Sequence, residues 1–388
     1  MARRAITRRT ALRAGATAAA ALAAGRFATP ARAQDQTSDD HWDQQLANPG
    51  GRVRVRYDEL QSFNELYDNP PMLGRAETWR IPIVEDPGRY NETIVRLVNY
   101  SQVLPLYGSI RHPALRWGYE HNDLWFDVGE GYIHSSWIVP CRETFNEPED
   151  VIGDGFWGEI TVPTSWQHWQ PKLKSVRYYD FAYGAVFRVL DRRDEDNGRA
   201  WYKLFDDAKP GAEWWVQAAH VRRVAEHEFA PISPHVPPEE KRIEVDLDNQ
   251  TVTCFEYDRP VFSTRCASGT AFLDPAGERH EFFTPRGQFY IWHKRPSRRM
   301  TGGESINDEY DLPGVPWCSF FTASGVAFHG TYWHNDYGRP RSHGCVNVTS
   351  DAAKWIYRWV EPYTGYGVQA HFVADKEERE TATQVTVF

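Results

Sequence analysis

Residues 328–347 read FHGTYWHNDYGRPRSHGCVN, which places one cysteine and three histidines within twenty positions. A thiol is a strong nucleophile only as its thiolate, so a working cysteine needs a base or a positive charge nearby and some access to solvent. Cys345 has three candidate partners in His329, His334 and His343. Gly344, just before it, removes a side chain where a carbonyl group would have to approach the backbone, and such positions commonly supply N–H groups to a developing oxyanion. These residue types in this order imply acyl-transfer chemistry.

Working outward, residues 325–330 (GVAFHG) predict a strand ending at His329, and 331–341 a loop that returns the chain to Ser342. After the cysteine, Thr349 or Ser350 caps a helix. Ala352, Trp355, Ile356 and Trp359 lie on one face at i, i+3, i+4 and i+7, and Pro362 stops it. Upstream, 241–269 alternates apolar and polar residues and breaks at Asp248-Asn249 and Asp258-Arg259, predicting three strands. Residues 284–311 include RPSRRMTGG, too polar for core and too long for a simple turn, and read as a long loop of the kind that covers sites. An ordinary surface loop is the competing reading.

The pairing of His329-Gly330 with Ser342-His343-Gly344-Cys345 resembles the YkuD-type L,D-transpeptidases of bacterial cell-wall synthesis. The likeness continues through Val346-Asn347-Val348 into 351–359 (DAAKWIYRW), and upstream through 241–252 and Thr284-Pro285-Arg286-Gly287. It covers about 239–375, a little over a third of the chain. Many members carry Arg where this chain has Asn347, a difference that bears on substrate contacts rather than on the chemistry.

The resemblance implies a mainly β chain whose catalytic domain is a β-sandwich with one helix after the catalytic cysteine. It implies Cys345 as nucleophile and His329, not the adjacent histidine, as general base, with the Gly330 carbonyl orienting the imidazole. His343 and Gly344 shape the oxyanion pocket with the Cys345 amide, Ser342 and Asn347 brace the loop or touch substrate, and Met300 and Tyr310 are speculative flap contacts. The implied reaction is attack on the third residue of a peptidoglycan stem tetrapeptide, release of D-Ala, and capture of the acyl group by an amine. No metal or organic cofactor is needed, and carbapenem-type β-lactams are the implied inhibitors. Two alternatives stay open: an L,D-carboxypeptidase with the same site and water as acceptor, and a non-catalytic wall-binding protein. A zinc site from His329, His334 and His343 is poorer, because no acidic partner stands at ligand spacing.

Residues 1–33 carry Arg8-Arg9, an alanine-rich run and Ala31-Arg32-Ala33, which resembles a twin-arginine export signal cleaved after Ala33. Ala11 stands where an aromatic is usual, so a general secretory signal is the alternative. The expected location is the periplasm or cell-wall space, with no transmembrane anchor once the signal is removed. That segment holds seven arginines and no acid, so 37 of the 44 basic residues remain against 53 acidic ones. Such acidity excludes the clustered Lys and Arg that nucleic-acid binding requires.

Sixteen tryptophans and nineteen tyrosines suit small β units with aromatic cores. Short alternating strands fill 91–145, and a second pass fills 155–225; the stretch Tyr132-Ile133-His134-Ser135-Ser136-Trp137-Ile138 can be laid over Trp215-Val216-Gln217-Ala218-Ala219-His220-Val221. Two tandem barrels follow, and GYIHSSWI resembles bacterial SH3-like wall-associated domains. Residues 34–90 are an N-terminal arm without an assigned task. With four prolines, 226–240 is a stiff extended linker, 241–375 the catalytic domain and 376–388 a C-terminal tail. The isolated histidines His112, His121 and His134 carry no ligand pattern. Cys345 is expected free, and Cys141, Cys254, Cys266 and Cys318 mostly buried thiols, with Cys254 opposite about Ser263.

Overall fold

The computed structural model describes residues 72–113, 121–274, 276–303 and 309–388. The expected signal segment lies outside them. The chain is mainly β, in three consecutive units.

The first unit contains β1 (Met72–Ala76), β2 (Ile81–Val84), β3 (Ile94–Val98), β4 (Val103–Leu106), β5 (Gly108–Arg111), β6 (Leu124–Asp127), β7 (Tyr132–His134) and β8 (Ile138–Cys141). They form sheets in the orders β4-β1-β8 and β3-β2-β7-β6-β5 around a core that includes Ile83, Val98, Phe126 and Ile133. The unit therefore includes Met72–Val84, inside the segment read as an arm. MLGRA does not alternate and IPIV contains Pro82, so neither looks like a strand alone. Tertiary pairing of Gly74 with both Leu104 and Pro140 makes the first of them one.

The second unit is a seven-stranded sheet of β9 (Phe156–Ile160), β10 (Thr164–His168), β11 (Arg177–Ala182), β12 (Val186–Asp194), β13 (Ala200–Phe205), β14 (Trp214–Gln217) and β15 (Val221–Arg223), ordered β11-β10-β14-β13-β12-β9-β15. The two stretches aligned in the sequence have the same local succession: a strand, a single 3-10 turn (Ser135–Trp137 and Ala218–His220), and another strand.

Residues 226–240 are not an extended spacer. Two 3-10 turns, Glu226–Phe229 and Pro238–Glu240, fold them down, and Phe229 enters the third unit's core against Trp317 and Tyr357. An apolar ring at the fourth position of a proline-rich run has more to gain from burial than from extension.

The third unit is a sandwich of two five-stranded sheets. One contains β16 (Lys241–Asp246), β17 (Thr251–Glu256), β18 (Arg259–Arg265), β21 (Gly287–Tyr290) and β27 (Gln384–Val387), ordered β18-β17-β16-β27-β21. The other contains β22 (His293–Gly302), β23 (Tyr310–Phe320), β24 (Ala327–Gly330), β25 (Val346–Val348) and β26 (His371–Phe372), ordered β25-β24-β23-β22-β26. β19 (Ala271–Leu273) and β20 (Arg279–Glu281) form a separate antiparallel hairpin.

The last residues are no tail, because β27 lies inside its sheet, parallel to β16 on one side and antiparallel to β21 on the other. The polar stretch 284–311 is largely β22 with the start of β23, a long hairpin in which Met300 pairs with Leu312. Its charges find partners on the second unit, so the low apolar content misled the reading as loop.

Helix α1 (Ser350–Trp359) is capped by the Thr349 side chain, which accepts from the Ala352 N–H, and buries Ala352, Ile356 and Trp359 in the same core as Phe328, Val346 and Val348. A second helix, α2 (Lys376–Thr381), lies near the C-terminus. Lys241 and Lys294 are buried at the far end of α1, donating to the carbonyls of Trp359 and of Val360 and Pro362. Cations there complement the helix dipole. All five cysteines are free, four of them buried, and Cys254 stands opposite Phe262 rather than Ser263, because the turn falls at Tyr257-Asp258, one residue earlier than expected, and a bulge follows it.

Candidate active site

Register brings the central stretch together. β24 and β25 run in parallel with His329 beside Asn347 and Phe328 beside Val346, while β23 pairs antiparallel to β24 with Phe320 opposite Ala327. Side chains alternate across a strand, so Phe328, Val346 and Val348 face α1 and the core. Phe320, Ala327, His329, Asn347 and, one residue before β25, Cys345 therefore share the opposite face. Cys345 and His329 are diagonal neighbours on adjacent strands, a placement that leaves their Cβ atoms roughly 7 Å apart and within reach of a ring and a sulfur.

The imidazole is held in one tautomer. His329 Nδ1 lies 3.1 Å from the Gly330 carbonyl, an acceptor, so Nδ1 carries the proton and Nε2 keeps its lone pair. Burial holds the His329 pKa down at about 4, against the Gly330 bond, which raises it. The Cys345 sulfur lies 3.7 Å from the Gly325 carbonyl oxygen. Burial raises its pKa to about 11, while a backbone hydrogen bond from Ala327 pulls the other way. At neutral pH both partners are uncharged: a thiol and a neutral imidazole, not a preformed ion pair.

The cysteine loop is braced from behind. The Ser342 hydroxyl donates to the Cys345 carbonyl and accepts from the Gly344 N–H at 3.2 Å. Thr284 donates to the Gly344 carbonyl at 2.7 Å and accepts from the Gly269 N–H at 2.9 Å. Gly344 has φ +107°, which a side chain would strain. Gly269 passes so close that an added Cβ would sit 2.0 Å from the Phe282 carbonyl oxygen.

His343 is packed away from the base position. Its ring stacks on Phe272 at 4.2 Å and touches Phe282 and Tyr310, each at 4.7 Å. Tyr310 is thus at the site, and Met300 packs in the cluster that holds Cys345, Leu312 and Trp333. His334 is buried with Nδ1 accepting the Asp336 N–H and Nε2 on the Asn347 amide at 3.0 Å. The three histidines do not converge as ligands. Among the described residues, the one group of donors close enough for a metal is Asp274, Glu278 and His280, on the β19–β20 hairpin.

The family model for the L,D-transpeptidase catalytic domain, YkuD, matches residues 240–387. This third unit is therefore similar to L,D-transpeptidase catalytic domains. No curated protein matches the chain. Solved structures similar to it include a cysteine-to-serine mutant of the Enterococcus faecium L,D-transpeptidase, 25% identical over 38% of this chain and 50% of that one, with a TM-score of 0.27. The E. faecium catalytic domain acylated by ertapenem is 26% identical over 38% of this chain and 97% of that one, with a TM-score of 0.27. An L,D-transpeptidase from Mycobacterium smegmatis is 16% identical over 63% and 98%, with a TM-score of 0.28. The chain spans about half the length of the first of these structures.

The L,D-transpeptidase domain is gripped from two sides. The first unit holds the loop between His329 and Ser342: His121 Nε2 lies 2.7 Å from Asp336, the Asn335 N–H donates to the Ser136 carbonyl at 3.2 Å, and Arg341 lies over Trp137. Burial would raise the Asp336 pKa, but the His121 bond and the charges of Arg341 and Arg339 outweigh it and hold the carboxyl well below its usual range. The second unit holds the β22–β23 hairpin: Arg299 pairs with Asp206 and Asp311, the Arg299 N–H donates to Asp207 at 2.8 Å, and Tyr179 donates to Asp311 at 2.7 Å. These contacts were invisible in the sequence, since His121, Asp206 and Asp207 sit in no motif.

Proposed function

We propose that this chain is an exported peptidoglycan L,D-transpeptidase acting through Cys345. The reading rests on one observation above the rest: His329, with its proton fixed on Nδ1 by Gly330, shares a sheet face with Cys345 and keeps Nε2 as a base. The matching family model supports it.

The Cys345 thiol gives its proton to His329 Nε2 as the sulfur attacks the carbonyl of the third residue of a stem tetrapeptide. Because both groups start neutral, proton transfer accompanies attack. The negative charge formed on the carbonyl oxygen is met by the Cys345 amide. Gly344 keeps its own N–H on Ser342 and so serves the loop's shape. The C–N bond to D-Ala breaks, the imidazolium returns its proton to the departing amine, and a thioester remains. An amine from a neighbouring stem then loses a proton to His329, attacks the thioester and releases the sulfur as the thiol. Ser342, Thr284 and Asn347 act by positioning, Tyr310 by contact with substrate, and Met300, on the hairpin, by packing in the cluster that holds Cys345. Residues 1–33 would deliver the protein to the wall space, with cleavage after Ala33.

The test is the mass of the Cys345 peptide after treatment with meropenem, in the parent and in His329→Ala. A full adduct in the parent and a slow or absent one in the variant is expected; equally fast labelling of both removes His329 from its role. Incubation with tetrapeptide stems should yield cross-linked dimers, whereas tripeptide alone would make the protein a carboxypeptidase.

A further inference from the structure

Away from the cysteine, the seam between the second unit and the L,D-transpeptidase domain contains a pocket of about 280 Å³, counting the solvent at its mouth, lined by Trp157, Arg188, Phe205, Asp207, Arg295, Ser297 and Gln369. Trp157, Arg188 and Phe205 stand in one cross-strand row, on β9, β12 and β13, and so present one continuous face. β22 supplies the opposite wall through Arg295 and Ser297, with the Ser297 hydroxyl anchored on the Val186 carbonyl.

Arg188 is the unusual member. It is 5% exposed, its Nε donates to the Asp154 carbonyl at 3.2 Å, and its guanidinium lies over the rings of Trp157 and Tyr366. Its Nη1 is buried with no hydrogen-bond partner. A buried cationic donor without an acceptor is costly, and buried charges are normally paired. The carboxylate in the lining is already committed: Asp207 receives Arg295 at 3.1 Å, Arg298 at 3.2 Å and the Arg299 N–H. Arg188, Arg295 and Asp207 together leave one positive charge facing the pocket. Burial is the main cause that lowers the Arg188 pKa, with the Arg223 charge on the same side and Tyr366 and the Asp154 carboxylate opposing it without cancelling it.

We propose that this pocket binds a single carboxylate group, one oxygen on Arg188 Nη1, with the Gln369 amide at the mouth. Much of the 280 Å³ is open solvent at the mouth, so the enclosed space falls far below that of a site for a nucleotide or sugar phosphate and suits a group as small as a carboxylate. The single unspent charge matches a monoanion. Recognition does not depend on Cys345 or on any acyl transfer, so it stands or falls apart from the proposed activity.

Melting of the full chain in sodium acetate, against sodium chloride at equal ionic strength, tests the site. Acetate should raise Tm saturably above the chloride control, because a ligand that binds only the folded state stabilises it. Arg188→Met should abolish the difference. Gln369→Glu, an exposed change that places a competing carboxylate at the mouth, should weaken acetate at least about tenfold without disturbing the fold. An equal response to acetate and chloride in the parent, or an acetate effect that survives both variants, overturns the proposal. A short peptide with a free C-terminal carboxylate, compared with its amide, then identifies the source. Tighter binding than acetate that is lost on amidation assigns the pocket to peptide carboxylates, and acetate alone assigns it to small free acids.

Discussion

At the scale of single residues, the chemistry depends on two neutral groups becoming charged together. With Cys345 near 11 and His329 near 4, the thiolate is scarce at pH 7 and grows as pH rises. The rate of Cys345 alkylation by iodoacetamide should therefore climb about tenfold per pH unit between pH 7 and 10; a plateau below pH 8 would indicate a preformed thiolate-imidazolium pair instead. Stability should show the opposite wing. His329 and His293, the latter lowered to about 3 chiefly by burial, are neutral in the folded chain, while the unfolded chain takes up their protons near 6.5. Between about pH 6.5 and 4 the unfolded state binds more protons, so stability is present above that window and is lost as pH falls through it. Melting followed from pH 8 to pH 4 measures the loss, and a flat profile there contradicts the burial of these rings. That Cys345 and His329 would come to one sheet face was readable, because the motif that holds them has a fixed spacing. That His334 serves Asn347, and that His343 is clasped by Phe272, Phe282 and Tyr310, was not, since both follow from chain segments brought in from elsewhere.

Elements position those residues. α1 was legible from its cap, its apolar stripe and Pro362, and it anchors the strand that follows the cysteine. Thr349→Ala should cost about 1 kcal/mol in chemical denaturation, the usual value of an N-cap side chain. Gly269→Ala belongs to the same scale but acts more severely. Its Cβ would meet the backbone of 282 and approach Gly344, so the cysteine loop must move. Meropenem acylation should fall by at least about a hundredfold while far-UV circular dichroism stays close to the parent's; parental acylation would show that the close approach is unnecessary. The β22–β23 hairpin marks the limit of pattern reading. RPSRRMTGG is a strand although it lacks apolar alternation, because Arg295, Arg298 and Arg299 are satisfied by acids of a different unit.

Across the whole molecule, the two leading units act as clamps on the site. Arg299 and Asp206 are both almost fully buried, and removing one leaves the other charge uncompensated. Arg299→Met should destabilise the chain by about 3 to 5 kcal/mol in urea, and the double change with Asp206→Leu should recover much of that. Failure of the double change to recover stability would mean that the pair is incidental to the interface. Trp157 and Val186 of the second unit lie in the same apolar core as Phe328 and Ile356, so the sandwich does not finish its own packing.

The amino-acid order alone determined the mainly β class, the capped helix, the cysteine and histidine with their spacing, and the likeness of 240–387 to the YkuD family model, because each is written in local pattern or motif. The tertiary structure alone decided where the units begin and end, how β27 closes the sheet, and which charges meet across the seams. Those outcomes depend on pairings between residues more than two hundred positions apart, such as His121 with Asp336 and Trp157 with Tyr366, whose energies exist only once the chain has folded.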